Sequence, residues 1–401
     1  MIYKYKAVSE NGQVLEGYFE AESQTDVLTM LKSNSYLPVY IEEDLNTDVK
    51  LDIFSKKVNK KDIAVFCRQF YTMINAGIGI VKSLDILEKQ TENKTLKKGI
   101  AALYEDVQKG FTLSEAMKKH EKIFPSLLVN MVEAGEVSGS LDVIMERMAV
   151  HFEKENKLEN KIKTALVYPV ALSIVALAVV IFLLTVVMPT FINMFESSGL
   201  ALPGPTQALL TISNSLTQYW YLFVSMTIIL IVAFLTFKKT DDGRRFLDSL
   251  KIRIPGVKKT NVKIITARFS RTLSTLLSSG IPLIQSIEVV GRIVGNKVVQ
   301  DRLNLAAEDI SKGVSLSKTI KDIDIFPPMV DSMIKIGEES GSLDEILYKT
   351  ADFYDDEVEV ALQKMTTLLE PLLLVFMAIV IGFIVIAMAM PMFDMVNTIE
   401  I

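Results

Sequence analysis

Cysteine is almost absent from this 401-residue chain: Cys67 stands alone, so no intramolecular disulfide can form. Histidine is nearly absent too. His120 and His151 have no second ligand of their kind at helical spacing, so both read as ordinary structural or solvated histidines. No Gly-x-x-x-x-Gly-Lys-Ser/Thr phosphate loop occurs, nor His-Glu-x-x-His, nor Gly-x-Ser-x-Gly. On these grounds the chain is expected not to be an enzyme, and no cofactor or metal is expected. Neither charge sign dominates, with 43 basic against 48 acidic residues, which leaves no nucleic-acid footprint. The first residues, Met1 to Val8, show no apolar h-region or small-residue cleavage site, so a secretory signal peptide is not expected.

Charge is also missing in long stretches. Between Thr164 and Phe237 the only charged residue is Glu196, and from Pro371 through Phe393 there is none. Pro169 to Met188 and Pro371 to Met390 are each bracketed by prolines and about 20 residues long. At helical rise that is roughly 30 Å, the thickness of a bilayer's hydrocarbon core. A proline can open such a span where the helix starts or bends. A middle span runs from Tyr219 to Phe237, with Tyr219-Trp220-Tyr221 as an interfacial belt and Lys238-Lys239 at the other end.

Lysine and arginine are absent from the loop between Pro189 and Gln218 and from the tail after Pro391. Lys157, Lys161 and Lys163 precede the first span, and Lys238, Lys239, Arg244 and Arg245 follow the second. The positive-inside rule then puts the N-terminus and both charged regions in the cytoplasm, with the loop and C-terminus outside.

What is present is present twice. Phe124-Pro125 followed by Gly135-Glu136-Val137-Ser138-Gly139-Ser140-Leu141-Asp142 returns as Phe326-Pro327 followed by Gly337-Glu338-Glu339-Ser340-Gly341-Ser342-Leu343-Asp344. Phe66, Arg68 and Gly77 match Phe269, Arg271 and Gly280. The register continues through Pro169/Pro371 and Pro189/Pro391. The repeat unit is therefore a helical bundle with its span, in parallel orientation. Within it, Phe66, Phe70, Met73 and Ile74 form one apolar helical stripe stopped at Ala76-Gly77. Further helices are expected around Val81–Lys89, Lys94–Lys109, Ser114–Lys119, Pro125–Ala134 and Ser140–Lys163. Ahead of the repeats, alternation in Tyr3 to Ala7, the Asn11-Gly12 turn signal, a Ser23/Asp26 cap and Pro38 on an edge strand read as a small ββαβ unit.

The expected fold class is mainly α: a polytopic membrane protein with two repeated cytoplasmic helical bundles of about six helices each, three transmembrane helices and the N-terminal ββαβ unit. The expected domains are 1–41 for that unit, 42–59 for a linker, 60–163 for bundle 1, 164–190 for the first span, and 191–217 for an extracytoplasmic loop. Then come 218–237 for the second span, 238–365 for bundle 2, 366–391 for the third span, and 392–401 for an extracytoplasmic tail.

Five residues stand out as possible partner contacts. In the octapeptide, Gly135 and Gly337 can end one helix and Ser140 and Ser342 can cap the next, with Glu345 completing a box at Ser342. Glu136 and Glu338 could instead form a contact surface or a cation site. Arg68 and Arg271 suit an intramolecular salt bridge or a binding role. Glu370 abuts the third span where the first repeat has Tyr168, and either reaches headgroups or meets protein. The acidic run Asp355, Asp356, Glu357, Glu359 is a solvated helix face that could also dock a basic surface.

Lys161-Ile162, Leu166-Val167-Tyr168-Pro169, Leu183 and Val187-Met188-Pro189, with the paired octapeptides and the three-span layout, resemble the type II secretion F-type family across essentially the whole chain. Its members are inner-membrane platform proteins of type IV pilus and type II secretion systems. The resemblance implies a scaffold coupling a hexameric cytoplasmic assembly ATPase to extrusion of pilin or pseudopilin subunits. It implies contacts with other membrane assembly proteins, with membrane lipid and with further copies of itself. The alternative from another class is a membrane transporter built from parallel repeats. That would need polar residues along a path, and the spans offer little beyond Thr185 and Thr227.

Overall fold

The computed structural model describes residues 2–9, 14–20, 24–33, 36–43, 57–191 and 203–399. The Asn11-Gly12 turn, the Ser23 cap, most of the 42–59 linker and the opening of the 191–217 loop lie outside those residues. The chain is mainly helical. It divides into two compact units, residues 1–57 together with 93–95, and the remainder.

In the first unit β1 (Ile2–Ser9) lies between β2 (Val14–Glu20) and β3 (Tyr36–Glu43), antiparallel to both. Helix α1 (Gln24–Ser33) follows β2 and buries Val27 and Leu31. Pro38 cannot donate to a ladder, and it stands on an edge strand, opposite Ala7 where the register shifts.

The first repeat comprises α2 (Lys60–Asn75), α3 (Ile80–Gln90), α4 (Lys94–Gln108), α5 (Leu113–Lys118), α6 (Ser126–Ser138) and α7 (Leu141–Phe182). Next come α8 (Gly204–Gln218), α9 (Trp220–Phe237) and α10 (Asp241–Arg253). The second repeat is α11 (Val257–Ser278), α12 (Leu283–Ile293), α13 (Lys297–Ser311), α14 (Leu316–Ile323), α15 (Pro328–Ser340) and α16 (Leu343–Ile399). The apolar stripe of α2 buries Ile63, Phe66, Cys67 and Phe70. Phe66 meets Phe124 with ring centroids 5.9 Å apart, and Phe269 meets Phe326 at 4.7 Å. The duplicated Phe-Pro therefore has a packing role. Its phenylalanine closes the core against the first long helix of its own repeat, and its proline starts the next helix. The buried side chains of both bundles form one continuous apolar cluster, so the repeats share a core.

Among the described residues three helices are long and apolar enough to cross a membrane, within Leu141–Phe191, Trp220–Phe237 and Leu343–Met390. Two features differ from the expected boundaries. First, α7 and α16 run without a break from bundle into span, across positions 163 and 365, and α16 continues to Ile399. Pro169 and Pro371 lie inside these helices, not at their starts. Second, residues 204–217 of the expected loop belong to a helix that ends at Gln218, opened by prolines at positions where no N–H is needed.

Candidate functional site

The duplicated octapeptide is a helix connector, and its glutamate clamps a third helix. Helix α6 does not end at Gly135. It runs to Ser138, and Gly139 takes the left-handed conformation at φ +68° that glycine tolerates. Ser140 N–H then donates to the Gly135 carbonyl at 3.0 Å, and Ser342 N–H to that of Gly337 at 3.1 Å. Gly337 is buried because the start of α16 crosses it: a Cβ there would sit 2.9 Å from Leu343 Cα. The Ser140 hydroxyl makes no cap bond and meets Ser138 Oγ at 2.7 Å, as Ser342 meets Ser340. Glu345 pairs with Lys349 at 2.7 Å. Glu136 accepts from the N–H groups of Leu113 (2.6 Å) and Ser114 (3.1 Å) at the start of α5. Glu338 does the same with Leu316 (2.6 Å) and Ser317 (3.1 Å) at the start of α14. Both carboxylates thus stabilise a helix N-terminus. Among the described residues no group of three or more His, Cys, Asp or Glu side chains is placed to hold a metal ion.

The two arginines make matching bonds in different surroundings. Arg68 holds both oxygens of Glu153 at 2.9 and 2.8 Å, with both side chains well exposed. Arg271 reaches Asp355 at 2.6 Å and Asp352 at 2.9 Å, and its own side chain is only 5% exposed. Burial raises the Asp355 pKa, with Arg271 pulling the other way.

A buried polar junction joins α7 to the second repeat, and sequence reasoning missed it. Glu155 is held by Lys60 of α2 and lies 3.6 Å from Arg268 of α11. Burial alone would raise its pKa, but Arg268 and Lys60 outweigh that and hold it below the ordinary value. One turn earlier, His151 stands 3.5 Å from Thr275 Oγ1. Burial drives its pKa down to about 4, against the pull of Glu155, so it is neutral at pH 7. Alongside, Lys154 binds Asp352 at 2.9 Å and Lys161 binds Glu359.

At Pro169, Pro189 and Pro391 the carbonyl left without an N–H is satisfied by a hydroxyl on a neighbouring helix. Pro169 has no N–H for Ala165 O, which accepts from Thr366 Oγ1 at 3.4 Å. A π turn at Leu183–Val187 sends Met188 N–H to Leu183, and Pro189 has no N–H to offer Leu184. Ser213 of α8 donates to Leu184 O instead. Thr206, also on α8, donates to Ala387 O, the carbonyl that Pro391 leaves open. Helix α8 is thereby pinned between the ends of two spans, over a small core that includes Leu184, Leu209 and Ile384. At the other end of the spans Tyr168 donates to Glu370 Oε1 at 3.1 Å, so two repeat-equivalent residues touch each other.

The five singled-out residues are therefore not gathered into one pocket. Glu136, Glu338 and Arg271 are used inside the fold, while Arg68 and Glu370 keep exposed surface.

The chain matches the family model for type II secretion system protein F over residues 66–189 and again over 269–391, and the model for that protein's N-terminal domain over residues 1–42. A type IV pilus assembly protein PilC of Thermus thermophilus is 37% identical over 404 residues, covering 100% of this chain and 99% of its own length. A protein of the same name from Myxococcus xanthus is 36% identical over 99% of this chain and 96% of its own. A type II secretion system protein F of Vibrio cholerae is 32% identical over 98% of each chain.

Proposed function

The chain belongs to the type II secretion system protein F family, and on that premise we propose that it is the integral membrane platform of a type IV pilus or type II secretion-like machine. It works as a scaffold and not as an enzyme. It takes motion from a hexameric cytoplasmic assembly ATPase and passes it to pilin or pseudopilin subunits, in contact with other membrane assembly proteins and lipid. The observation that carries this reading is the continuity of α7 and α16. Each helix is one rod from a shared bundle core into an apolar span, so a push on the bundles moves the spans. Arg68 and Glu370, with their exposed surface, are the residues we assign to partner contacts. The transporter reading gains nothing from the spans. Thr185 and Thr227 donate to their own helices, at 2.8 Å to Ile181 O and 2.7 Å to Phe223 O.

The function is tested with the full chain in nanodiscs. It should raise the ATPase activity of its cognate motor and co-elute with it at moderate salt. Absence of both effects would remove the mechanical link. Sidedness follows from the same reading: the bundles are cytoplasmic and α8 is outside. In a Cys67→Ser background, Asn214→Cys on the exposed face of α8 should react with an impermeant thiol reagent on intact cells, and Ser315→Cys should not. The reverse pattern would invert the topology.

A further inference from the structure

One face of the first repeat is covered by the second, while the matching face of the second is bare. On α7 the covered row is Arg147, His151, Glu155 and Leu158. Arg147 reaches the Ser278 carbonyl and Ser279 Oγ at the end of α11, the latter at 2.9 Å. His151 meets Thr275, Glu155 meets Arg268, and Leu158 packs in a cluster with Ile264. The repeat equivalents of that row on α16 are Lys349, Phe353, Glu357 and Val360. Phe353 is 44% exposed and Val360 41%, where their equivalents His151 and Leu158 are buried. The equivalents of the covering residues on α11 and its C-cap lie on α2 and its C-cap: Lys61, Val65, Thr72, Asn75 and Ala76. All five are exposed.

The chain thus carries both halves of an interface that it has already built once internally. We propose that a second copy of this chain lays its α2 face on the α16 face of the first, repeating between chains the contact that α11 makes with α7. The chemistry of the two faces fits. Phe353 loses water against Thr72 and Val360 against the stem of Lys61, while Val65 takes the place that Arg268 has in the internal contact. Among the described residues Lys61 has no carboxylate partner, and this seating brings it to the acidic stretch that includes Asp356 and Glu357. Lys349 comes to the carbonyl end of α2 as Arg147 comes to that of α11, where a cation is favoured.

The internal geometry also says how such contacts propagate. Tyr168 and Glu370 are repeat equivalents and touch at 3.1 Å, so the operation relating the repeats has little translation along the helices. A head-to-tail contact that rotates without climbing closes into a ring and does not extend as a filament. The inference rests on the platform reading only in that both repeats enter the membrane the same way.

Disulfide trapping of the full chain tests it, in a Cys67→Ser background with two differently tagged populations. Chains carrying Thr72→Cys mixed with chains carrying Phe353→Cys should cross-link to each other, and neither should cross-link to itself. Val65→Asp and Phe353→Asp should each weaken self-association by about tenfold or more, equivalent to about 1.4 kcal/mol. Circular dichroism should show unchanged helix content in both variants. Self-linked Thr72→Cys dimers, a monomeric mass at all concentrations, or unchanged association in both aspartate variants would overturn the proposal. None of these readouts involves the motor or the pilus, so a failure here is distinct from a failure of the platform reading.

Discussion

Arg271→Ala is expected to cost about 3 kcal/mol of stability, whereas Arg68→Ala at the equivalent place in the first repeat should cost under about 1 kcal/mol. The bonds are alike and the surroundings decide. Arg68 and Glu153 are both well exposed, so water replaces the lost partner. Arg271 is 5% exposed and the Asp355 side chain 16%, and among the described residues Asp355 Oδ1 has no hydrogen-bond partner. Removing the guanidinium leaves Asp355 half-stripped of water and unpaired. The cost falls at the lower end of the range for broken buried pairs because Asp352, at 40% exposure, keeps Lys154. The pH dependence separates this account from a simple packing loss. Asp355 has its folded pKa raised by burial, so its ionised form costs stability, and that cost is relieved as pH falls through the raised value. His151 works in the opposite sense. Its folded pKa is depressed to about 4, so its contribution is complete above about 6.5 and is lost as pH falls toward 4. Thermal unfolding of the detergent-solubilised chain should show the wild type weakening from pH 6.5 to 4. The defect of Arg271→Ala should shrink over the carboxylate range, and an Arg271→Met, Asp355→Leu pair should recover most of the loss. A pH-independent defect, or one equal to that of Arg68→Ala, would contradict the assignment.

What the sequence made legible was whatever depends on local pattern. The stripe at Phe66 and Phe70, the repeat, and the uncharged runs are all visible without tertiary contacts. What it hid depends on which neighbour arrives. Gly135 and Gly139 look alike in a string of letters. Only the crossing of α7 makes one a close-approach residue inside a helix and the other its left-handed end. Helix α8 was hidden because its inward face carries Thr206 and Ser213 with Leu209, and hydroxyls count against an apolar stripe until carbonyls orphaned by Pro189 and Pro391 are there to receive them. Glu155 was one acidic residue among many on a charged helix, and nothing within its own repeat marks it as the member that faces Arg268. Its equivalent, Glu357, keeps the matching bond to Lys263 yet stays partly exposed, so the local pattern is the same and only the docking of the repeats differs.

The same contrast between repeats gives a second large effect. Glu338→Ala should destabilise the chain by about 2–3 kcal/mol, and Glu136→Ala by about half as much. Each carboxylate receives two backbone N–H groups at the first turn of a short helix, at 2.6 and 3.1 Å in both repeats. Hydrogen bonds to a charged acceptor are the stronger kind, and a helix N-terminus adds a favourable field. The difference lies in what remains after the glutamate is gone. Helix α5 has a second device: Thr112 Oγ1 accepts from Glu115 N–H at 3.2 Å, and Glu115 accepts from Thr112 N–H at 3.0 Å. Helix α14 begins at Ser315, whose side chain makes no cap bond, so Glu338 is the acceptor its first turn relies on. Hydrogen exchange should therefore show faster opening at Leu316 and Ser317 in Glu338→Ala than at Leu113 and Ser114 in Glu136→Ala. Glu338→Gln, which keeps one carbonyl acceptor, should fall in between. If the octapeptide glutamates instead serve an external partner or a cation, all three variants would keep wild-type stability and exchange and lose only binding. That outcome would return Glu136 and Glu338 to the surface role the sequence left open.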